Sequence, residues 1–326
     1  MLILAADIGG TNTRLALIEM TGSQARIVER ETAPSRTLSA LAPRVLEFLA
    51  GKPRPARAGF AVAGPVADGT VRTTNLPWTI RTAELARGIG IPDTVLINDF
   101  TAVGESLPLL GPGELATLQA GQRDPAGPVA LIGAGTGLGQ GFLFHDGTRY
   151  RVRASEGGHS SFAARTAREW ALRTWLAERL GPVSWESVLS GRGLSACYQY
   201  LSGSPAPEEP AAISERGLDG SDPAAVEALD LFAAAYGAQA GNLALTVLAT
   251  GGVYVAGGIA PRLIGKLSDG TFMRAFREKG ELEAFPARVP VQVIMSPDAG
   301  LLGAAAVAAR GTSASLRRGR AADAIS

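Results

Sequence analysis

Short apolar runs separated by glycine-rich turns fill the first half of the chain. The opening run, Leu2 to Ile8, leads through a Gly-Gly-Thr turn into a second apolar run, and this pattern predicts a β-hairpin. Two more apolar runs, 57–66 and 94–100, are predicted strands, and the second ends in Asn-Asp. Segments 38–50 and 82–90 carry apolar residues at helical spacing and predict short amphipathic helices.

The pattern of the opening hairpin returns at residues 128–144, where an apolar run again leads through a turn of glycine and threonine into a second run. A repeat of this kind, about 120 residues after the first, is typical of a duplicated architecture. The sequence therefore predicts two α/β halves, each presenting one glycine turn to a phosphate.

Helices and strands continue to alternate in the second half of the chain. The predicted elements are an amphipathic helix over 165–180, a surface loop over 203–223, a buried Ala-rich helix over 224–249, a strand in VYVAGGIA, a last strand over 289–295, and a helix over 296–310 with Ser296 or Asp298 near its start. Small residues along that last helix predict close packing, and the tail after Gly311 is expected to fray.

Composition narrows the class of protein. The chain has 326 residues, 46% of them hydrophobic and 19% charged, which predicts a compact globular protein of two domains. A formal net charge of +1 argues against binding to nucleic acid or to an anionic membrane surface. Residues 231–261 carry no charge, but Gln239, Asn242 and the Gly251-Gly252 pair divide them, so we expect a buried helix and a buried strand and no membrane span.

Scarce residue types exclude several sites. The single Cys197 and the two histidines cannot build a structural zinc cluster, and the lack of an intramolecular disulfide suits a reducing cytoplasm. The chain has three lysines, and none lies in a glycine-rich stretch, so the P-loop motif is absent.

The opening turn has the chemistry of a phosphate site. The backbone N–H groups of Gly9 and Gly10 can approach phosphate oxygens closely, and Thr11 and Thr13 add hydroxyl donors. Asp7 precedes the turn and is suited to holding Mg²⁺ or its bound waters. An ordinary tight hairpin is the alternative interpretation.

Two later glycine turns extend this picture. The GAGTGLG turn at 133–139 does not have the dinucleotide spacing G-x-G-x-x-G, because Leu138 and Gln140 stand where glycine is required, so phosphate is favoured over NAD. The VAGGIA turn at 255–260 leaves room for a base or ribose against the backbone. A close helix–strand packing point explains that turn equally well.

Polar residues suited to a sugar and its proton follow two of the runs. Asp99 is a candidate base for phosphoryl transfer to an alcohol and Asn98 a candidate hydroxyl ligand, although Asp99 could instead cap a helix starting near Thr101. Glu156 and His159, separated by two glycines, can both face one polyol, whereas a lone histidine is more often structural. Glu186 could add a hydroxyl contact or stabilise the first turn of a helix.

Six motifs in register carry a family resemblance. DIGGTNTRLAL, INDFTAV, GAGTGLG, SEGGH, SWESVLSGRGL and VAGGIAP, in this order between about residues 3 and 310, closely resemble the bacterial glucokinases of the sugar kinase/heat-shock/actin superfamily. The resemblance implies an α/β, two-domain actin-like ATPase (ribonuclease H-like) fold with a cleft between domains that closes over glucose. The implied domains are 1–110 plus 298–326, a small α/β domain, and 111–297, a large α+β domain.

The resemblance also implies an activity, ATP-dependent phosphorylation of D-glucose at O6 to glucose 6-phosphate, the entry step of glycolysis, in a cytoplasmic homodimer that uses Mg²⁺. Asp99 would be the catalytic base, with Asn98, Glu156, His159 and Glu186 as further glucose ligands. The implied nucleotide-binding set is Asp7, Gly9, Gly10, Thr11, Asn12, Gly135, Thr136, Gly137, Gly257 and Gly258, with Asp7 reaching Mg²⁺ through water.

Departures from related families refine the prediction. The sister group of repressors and sugar kinases usually carries a cysteine-rich zinc motif, which a chain with one cysteine cannot have, so the zinc-free glucokinase branch is favoured. Arg192 stands where the family pattern has Pro. A kinase for another hexose, or one using polyphosphate, stays open. A sugar-sensing regulator is disfavoured, because it would need a DNA-reading segment and the first predicted strand already begins at residue 2. A filament-forming ATPase is disfavoured as well, because it would have no use for the Glu-Gly-Gly-His segment.

Overall fold

The structure is a computed structural model, and it describes residues 1–38, 40–73, 76 and 78–311. The tail predicted to fray lies outside these residues. The chain divides into two compact units. The first unit is formed by residues 1–111 and the segment that starts at Ser296, and the second unit by Pro112–Met295.

Strands and helices alternate along the chain. The strands are β1 (Leu2–Ile8), β2 (Asn12–Thr21), β3 (Gln24–Pro34), β4 (Arg57–Val62), β5 (Val66–Ala67), β6 (Thr70–Arg72), β7 (Thr79–Arg81), β8 (Thr94–Asn98), β9 (Leu115–Gln119), β10 (Val129–Ala134), β11 (Leu138–His145), β12 (Tyr150–Ser155), β13 (Gly252–Ala256) and β14 (Val291–Ile294). The α-helices are α1 (Leu41–Leu49), α2 (Thr82–Ile89), α3 (Asp99–Ser106), α4 (Ala167–Leu180), α5 (Gly191–Ser202), α6 (Pro210–Asp219), α7 (Pro223–Val247), α8 (Ile264–Leu267), α9 (Thr271–Arg277) and α10 (Ala299–Arg310).

The first unit is built on a five-stranded sheet in the order β3-β2-β1-β4-β8. β1 and β2 form the predicted antiparallel hairpin, whose last register pair is Ile8 with Thr13. β4 and β8 run parallel to β1, so the ends of these three strands lie at one edge of the sheet. A small sheet of β5, β6 and β7 completes the unit.

Both faces of that sheet are covered, as the near-continuous apolar runs of β1 and β4 require. Alternate residues of β1 point to opposite faces. Leu4 packs in one core with Val45 and Phe48 of α1. Ile3 packs in another core with the small and apolar residues of α10, including Ala304, so the prediction of close packing by that helix is confirmed.

The second unit repeats this topology. Its sheet has the order β12-β11-β10-β13-β14-β9, so an antiparallel meander is again followed by two parallel strands, with β9 added at the edge. The predicted duplication is confirmed in strand order. The uncharged stretch is divided as predicted, because α7 ends at Val247 and β13 begins at Gly252. Across the described part of the chain, no helix combines the length and apolarity that crossing a bilayer demands.

One prediction about local structure was wrong. The segment 203–223 is not all surface loop, because α6 occupies Pro210–Asp219. Proline suits the first turn of a helix, and the side chain of Ile213 is buried in the core. These two residues stabilise a helix in a segment whose polar composition is typical of a loop. At the start of α10, Asp298 occupies the N-cap position, but its side chain makes no capping bond. The Asp298 carboxylate instead accepts from Arg30 at 2.6 Å.

Candidate functional site

The turn between β1 and β2 contains the residues predicted to bind phosphate. The N–H of Gly9 donates to the carbonyl of Asn12 at 3.0 Å and closes the turn tightly. Gly9 and Gly10 are half-buried, whereas Thr11 and Asn12 are exposed. The turn therefore offers backbone and polar side chains at the sheet edge where β1 ends.

A serine that sequence reasoning missed supports this turn. Ser35 is buried, its hydroxyl donates to the carbonyl of Gly9 at 2.7 Å, and its N–H donates to the carbonyl of Thr11 at 2.8 Å. Ser35 reaches this position because β3 pairs with β2 and brings Pro34 opposite Asn12, which places Ser35 under the turn.

The prediction for Thr13 was wrong. Its side chain is buried, and its hydroxyl hydrogen-bonds with that of Ser35 at 3.0 Å. As the second residue of β2, Thr13 points into the sheet packing while its neighbours Asn12 and Arg14 point away. Thr13 therefore holds the turn from below and does not reach a ligand.

Asp7 occupies a confined position at the end of β1. The nearest cation is Arg14, whose guanidinium lies 3.6 Å from the carboxylate, and the Asp7 side chain is 23% exposed. A Cβ on Gly300, in the first turn of α10, would lie 2.9 Å from the carboxylate carbon. Burial raises the pKa of the Asp7 carboxyl, with Arg14 opposing that shift and Asp298 adding to it.

These surroundings fit a role for Asp7 beside a divalent cation. A carboxylate whose ionised form is disfavoured by burial and by a second carboxylate gains from nearby positive charge. Within the described ranges, no three histidine, cysteine or acidic side chains gather as a metal cage. Mg²⁺ commonly binds through one or two carboxylates, waters and substrate phosphates, so one carboxylate beside a phosphate-type turn matches its preferences.

Asn98 and Asp99 lie where β8 meets α3. Asn98, and not Asp99, caps the helix, because its Oδ1 accepts from the N–H of Thr101 at 3.1 Å. The Asn98 amide nitrogen donates to Asp99 at 2.9 Å and to the carbonyl of Gly64 at 3.1 Å. The same Asp99 oxygen accepts from the N–H of Phe100 at 2.9 Å. These bonds fix the Asp99 carboxylate at the sheet edge that also carries the β1–β2 turn, two strands away.

The turn between β10 and β11 is the counterpart in the second unit. The N–H of Gly135 donates to the carbonyl of Gly137 at 2.8 Å, and the N–H of Gly191 donates to the carbonyl of Gly135 at 2.9 Å. Thr136, at the tip, is exposed. The predicted set Gly135, Thr136 and Gly137 thus forms one turn, and the start of α5 holds it in place.

Glu186 contacts that turn directly. Its Oε2 accepts from the N–H of Leu138 at 2.9 Å, and a Cβ on Gly137 would lie 2.5 Å from the same oxygen, so a side chain at position 137 would displace the Glu186 carboxylate. Its Oε1 lies 3.7 Å from the exposed guanidinium of Arg192. Glu186 precedes α5 by several residues, so first-turn stabilisation of a helix does not explain it.

The Glu-Gly-Gly-His segment forms a short 3-10 turn at the end of β12. Glu156 and His159 are both exposed, at either end of this turn. The N–H of Glu186 donates to the carbonyl of Gly158 at 2.9 Å, so the segment lies against the backbone of Glu186. The backbone of Glu186 thus adjoins the turn that carries Glu156 and His159.

The third glycine turn follows β13. Gly257 has φ +85°, which favours glycine, and a Cβ there would overlap the carbonyl of Ala134. Gly258 is exposed, with open space where a Cβ would be. The N–H of Ile259 donates to the carbonyl of Ala134 at 3.3 Å. Gly257 therefore packs closely against the end of β10, and open space lies beside Gly258.

Comparison with known proteins gives a consistent result. The glucokinase family model matches residues 4–311. A glucokinase of Nostoc sp. is 42% identical to this chain, over 95% of this chain and 99% of the relative. The crystal structure of a glucokinase from an Antarctic psychrotroph has a TM-score of 0.83 at 33% identity and covers 95% of this chain and 99% of that chain. A ROK family glucokinase from Streptomyces griseus, solved with glucose and AMPPNP, has a TM-score of 0.68 at 25% identity, over 95% and 100% of the two chains.

The fold and these likenesses define the class as sugar kinases with the α/β, two-unit actin-like ATPase fold, as predicted. Within that class, the match over nearly the full length is decisive, and the chain belongs to the glucokinase family.

Proposed function

We propose that this chain phosphorylates D-glucose at O6 with ATP as donor, using Asp99 as base and its matching glycine turns to hold the triphosphate. The assignment of residues rests on a structural feature that the two units share. In each unit, a parallel-strand edge presents a hairpin turn of glycine and threonine, and in the first unit the same edge also presents Asp99.

The sugar ligands in this proposal are polar side chains from several elements. Glu156, His159 and Glu186 offer two carboxylates and an imidazole from adjoining backbone, which suits a polyol with several neighbouring hydroxyls. Asn98 adds an amide beside Asp99. Its helix-capping bond leaves the carboxamide little freedom to rotate, so it can serve as a fixed hydroxyl partner.

The donor ligands are the backbone turns at 9–12 and 135–137, with the turn at Gly257 and Gly258 next to the adenosine. Neutral N–H groups and hydroxyls fit a chain that has no P-loop lysine. Asp7 would hold Mg²⁺ through water, and the ion would offset the charge on the donor phosphates.

The transfer step forms one phosphorus–oxygen bond, breaks another and moves one proton. Asp99 accepts the proton of the sugar 6-hydroxyl as O6 forms a bond to the γ-phosphorus, and the bond between that phosphorus and the β,γ-bridging oxygen breaks. ADP leaves with the electron pair, and the proton on Asp99 passes to solvent.

Asp99→Asn tests the assignment of the base. The variant retains an oxygen that can accept from Phe100 but cannot take a proton, so kcat should fall by about 10² to 10⁴-fold. Glucose binding measured by calorimetry should persist. Asp93→Asn is the matched control, because Asp93 pairs with Arg57 just before β8, and its turnover should match wild type. Near-full turnover by Asp99→Asn would contradict the mechanism.

A substrate panel tests the sugar and the donor. A coupled assay should show the highest kcat/KM with glucose and ATP among glucose, mannose, fructose and N-acetylmannosamine, each with ATP and with polyphosphate. Higher kcat/KM with another sugar or with polyphosphate would replace that part of the proposal. A cytoplasmic homodimer at the entry of glycolysis completes the proposal, and sedimentation at several protein concentrations tests the dimer.

A further inference from the structure

Tyr236 is a buried polar side chain to which the reaction as described gives no role. It lies in α7 and is fully buried. Phe232 and Phe272 each meet its ring edge-to-face, with ring centroids 5.7 Å apart in both pairs. Two such contacts from different helices fix the direction in which the phenol points.

The Tyr236 hydroxyl joins the ends of two neighbouring strands. It accepts from the N–H of Ala134 at 2.9 Å and donates to the carbonyl of Ala256 at 3.2 Å. Ala134 is the last residue of β10 and Ala256 the last of β13, and the parallel register between these strands ends at the pair Gly133 with Ala256. The Tyr236 hydroxyl therefore links β10 and β13 at the point where their backbone pairing ends.

A glycine turn follows each of these strand ends. Gly135 comes directly after Ala134, and Gly257 comes directly after Ala256. The two turns also touch through backbone, since the carbonyl of Ala134 accepts from Ile259 and faces Gly257. The phenol thus lies beneath the junction of the two turns, in a place that solvent does not reach.

We propose that Tyr236 is a positioning residue for the nucleotide, which holds the phosphate-side turn at 135–137 and the adenosine-side turn at 257–258 in one fixed arrangement. The inference rests on the proposed assignment of these turns to ATP. Burial raises the pKa of the Tyr236 phenol, so the hydroxyl keeps the proton that it donates to Ala256. Because both backbone partners are buried, loss of the hydroxyl leaves a donor and an acceptor unpaired at the base of both turns.

Tyr236→Phe tests this role, because it keeps the ring and removes only the hydroxyl. We expect KM for ATP to rise about tenfold while KM for glucose stays within about twofold of wild type. Initial rates over both substrates, measured well below the Tm of each variant, give both constants. Tyr236→Met, which fills the site without a hydroxyl, should give the same separation of the two constants if Tyr236→Phe proves too unstable to assay.

Tyr198→Phe is the matched control. The Tyr198 hydroxyl donates to Asp222, the residue that caps α7, at 2.8 Å, so this variant also removes a phenol hydrogen bond, at the N-terminal end of α7. It should lower Tm and leave KM for ATP unchanged. A folded Tyr236→Phe whose KM for ATP equals that of wild type, or whose two KM values rise equally, overturns the inference. Wild-type protein that fails to phosphorylate glucose with ATP would instead overturn the proposed function.

Discussion

The two units share one strand order but support their glycine turns differently. In the first unit, the support is uncharged, because the hydroxyl of Ser35 bonds to Gly9 and to the hydroxyl of Thr13 beneath the turn. In the second unit, the support includes a carboxylate, because Glu186 accepts from the N–H of Leu138. Equivalent backbone is thus held by different chemistry in the two halves.

The difference shows how a duplicated framework can take on two tasks. A neutral hydroxyl pair can only hold the first turn. Glu186 has a second oxygen, which lies toward Arg192, and its backbone bonds to the segment that carries Glu156 and His159. In the proposed function, Glu186 therefore serves both as a sugar ligand and as the support of a donor turn, whereas Ser35 and Thr13 only support a turn.

Among the variants that test this comparison, Glu186→Ala should change the kinetic constants most. It removes a proposed sugar contact and leaves the N–H of Leu138 without its acceptor, so kcat/KM should fall about 100-fold or more, with KM raised for both glucose and ATP. Steady-state kinetics over both substrates checks this. Glu186→Gln keeps an acceptor for Leu138, so its KM for ATP should stay near wild type. A rise confined to glucose in Glu186→Ala would show that the shared role is wrong.

Ser35→Ala should have a smaller and more selective effect. Loss of its hydroxyl frees the carbonyl of Gly9 and the hydroxyl of Thr13, so KM for ATP should rise about fivefold to tenfold with KM for glucose unchanged. Thr94→Val is the matched control in the same unit, because its buried hydroxyl also donates to a backbone carbonyl, that of Ile91, away from the turn. Equal kinetics in the two variants would remove Ser35 from the site.

The smallest expected effect concerns the buried helices. α10 of the first unit packs through alanines and leucines. α7 of the second unit is instead contacted by the side chain of Lys279, which donates to the carbonyl of Ala238 at 3.0 Å and to Asn242 at 2.9 Å. Burial lowers the pKa of Lys279 from 10.5 to about 8, and the nearby charge of Arg165 adds to the shift. The folded state thus disfavours the ammonium form.

The sign of the pH dependence follows from this shift. Below about pH 8 the lysine is protonated in both states and the cost is fully present; between about pH 8 and 10.5 the folded state loses the proton first, so stability rises. Relative to Lys279→Met, the free energy of unfolding of wild type should therefore increase over this window, by less than about 1 kcal/mol because water screens the part-exposed amine. Urea unfolding at several pH values measures it, and parallel curves for the two proteins would contradict it.

The sequence predicted the strands that are buried on both faces and the turns between them, because apolar runs and glycine pairs are local signals. It missed β3 and β12, whose exposed polar residues resemble loops and whose strand state depends on pairing with a neighbour. Local motifs predicted Asn98 and Glu186 as site residues, and that assignment stays a prediction. Ser35 and Tyr236 were out of reach, because their partners lie on other elements and no local pattern marks a hydroxyl that bonds to a distant backbone.

The bond between Glu186 and Leu138 also limits how this enzyme can be re-engineered. An exchange of Glu186 for a residue without a hydrogen-bond acceptor, made to alter the preferred hexose, would also remove the acceptor of the Leu138 N–H, so sugar selectivity and nucleotide binding would change in the same step. Libraries aimed at a new sugar should hold Glu186 fixed and vary His159 and its exposed neighbours.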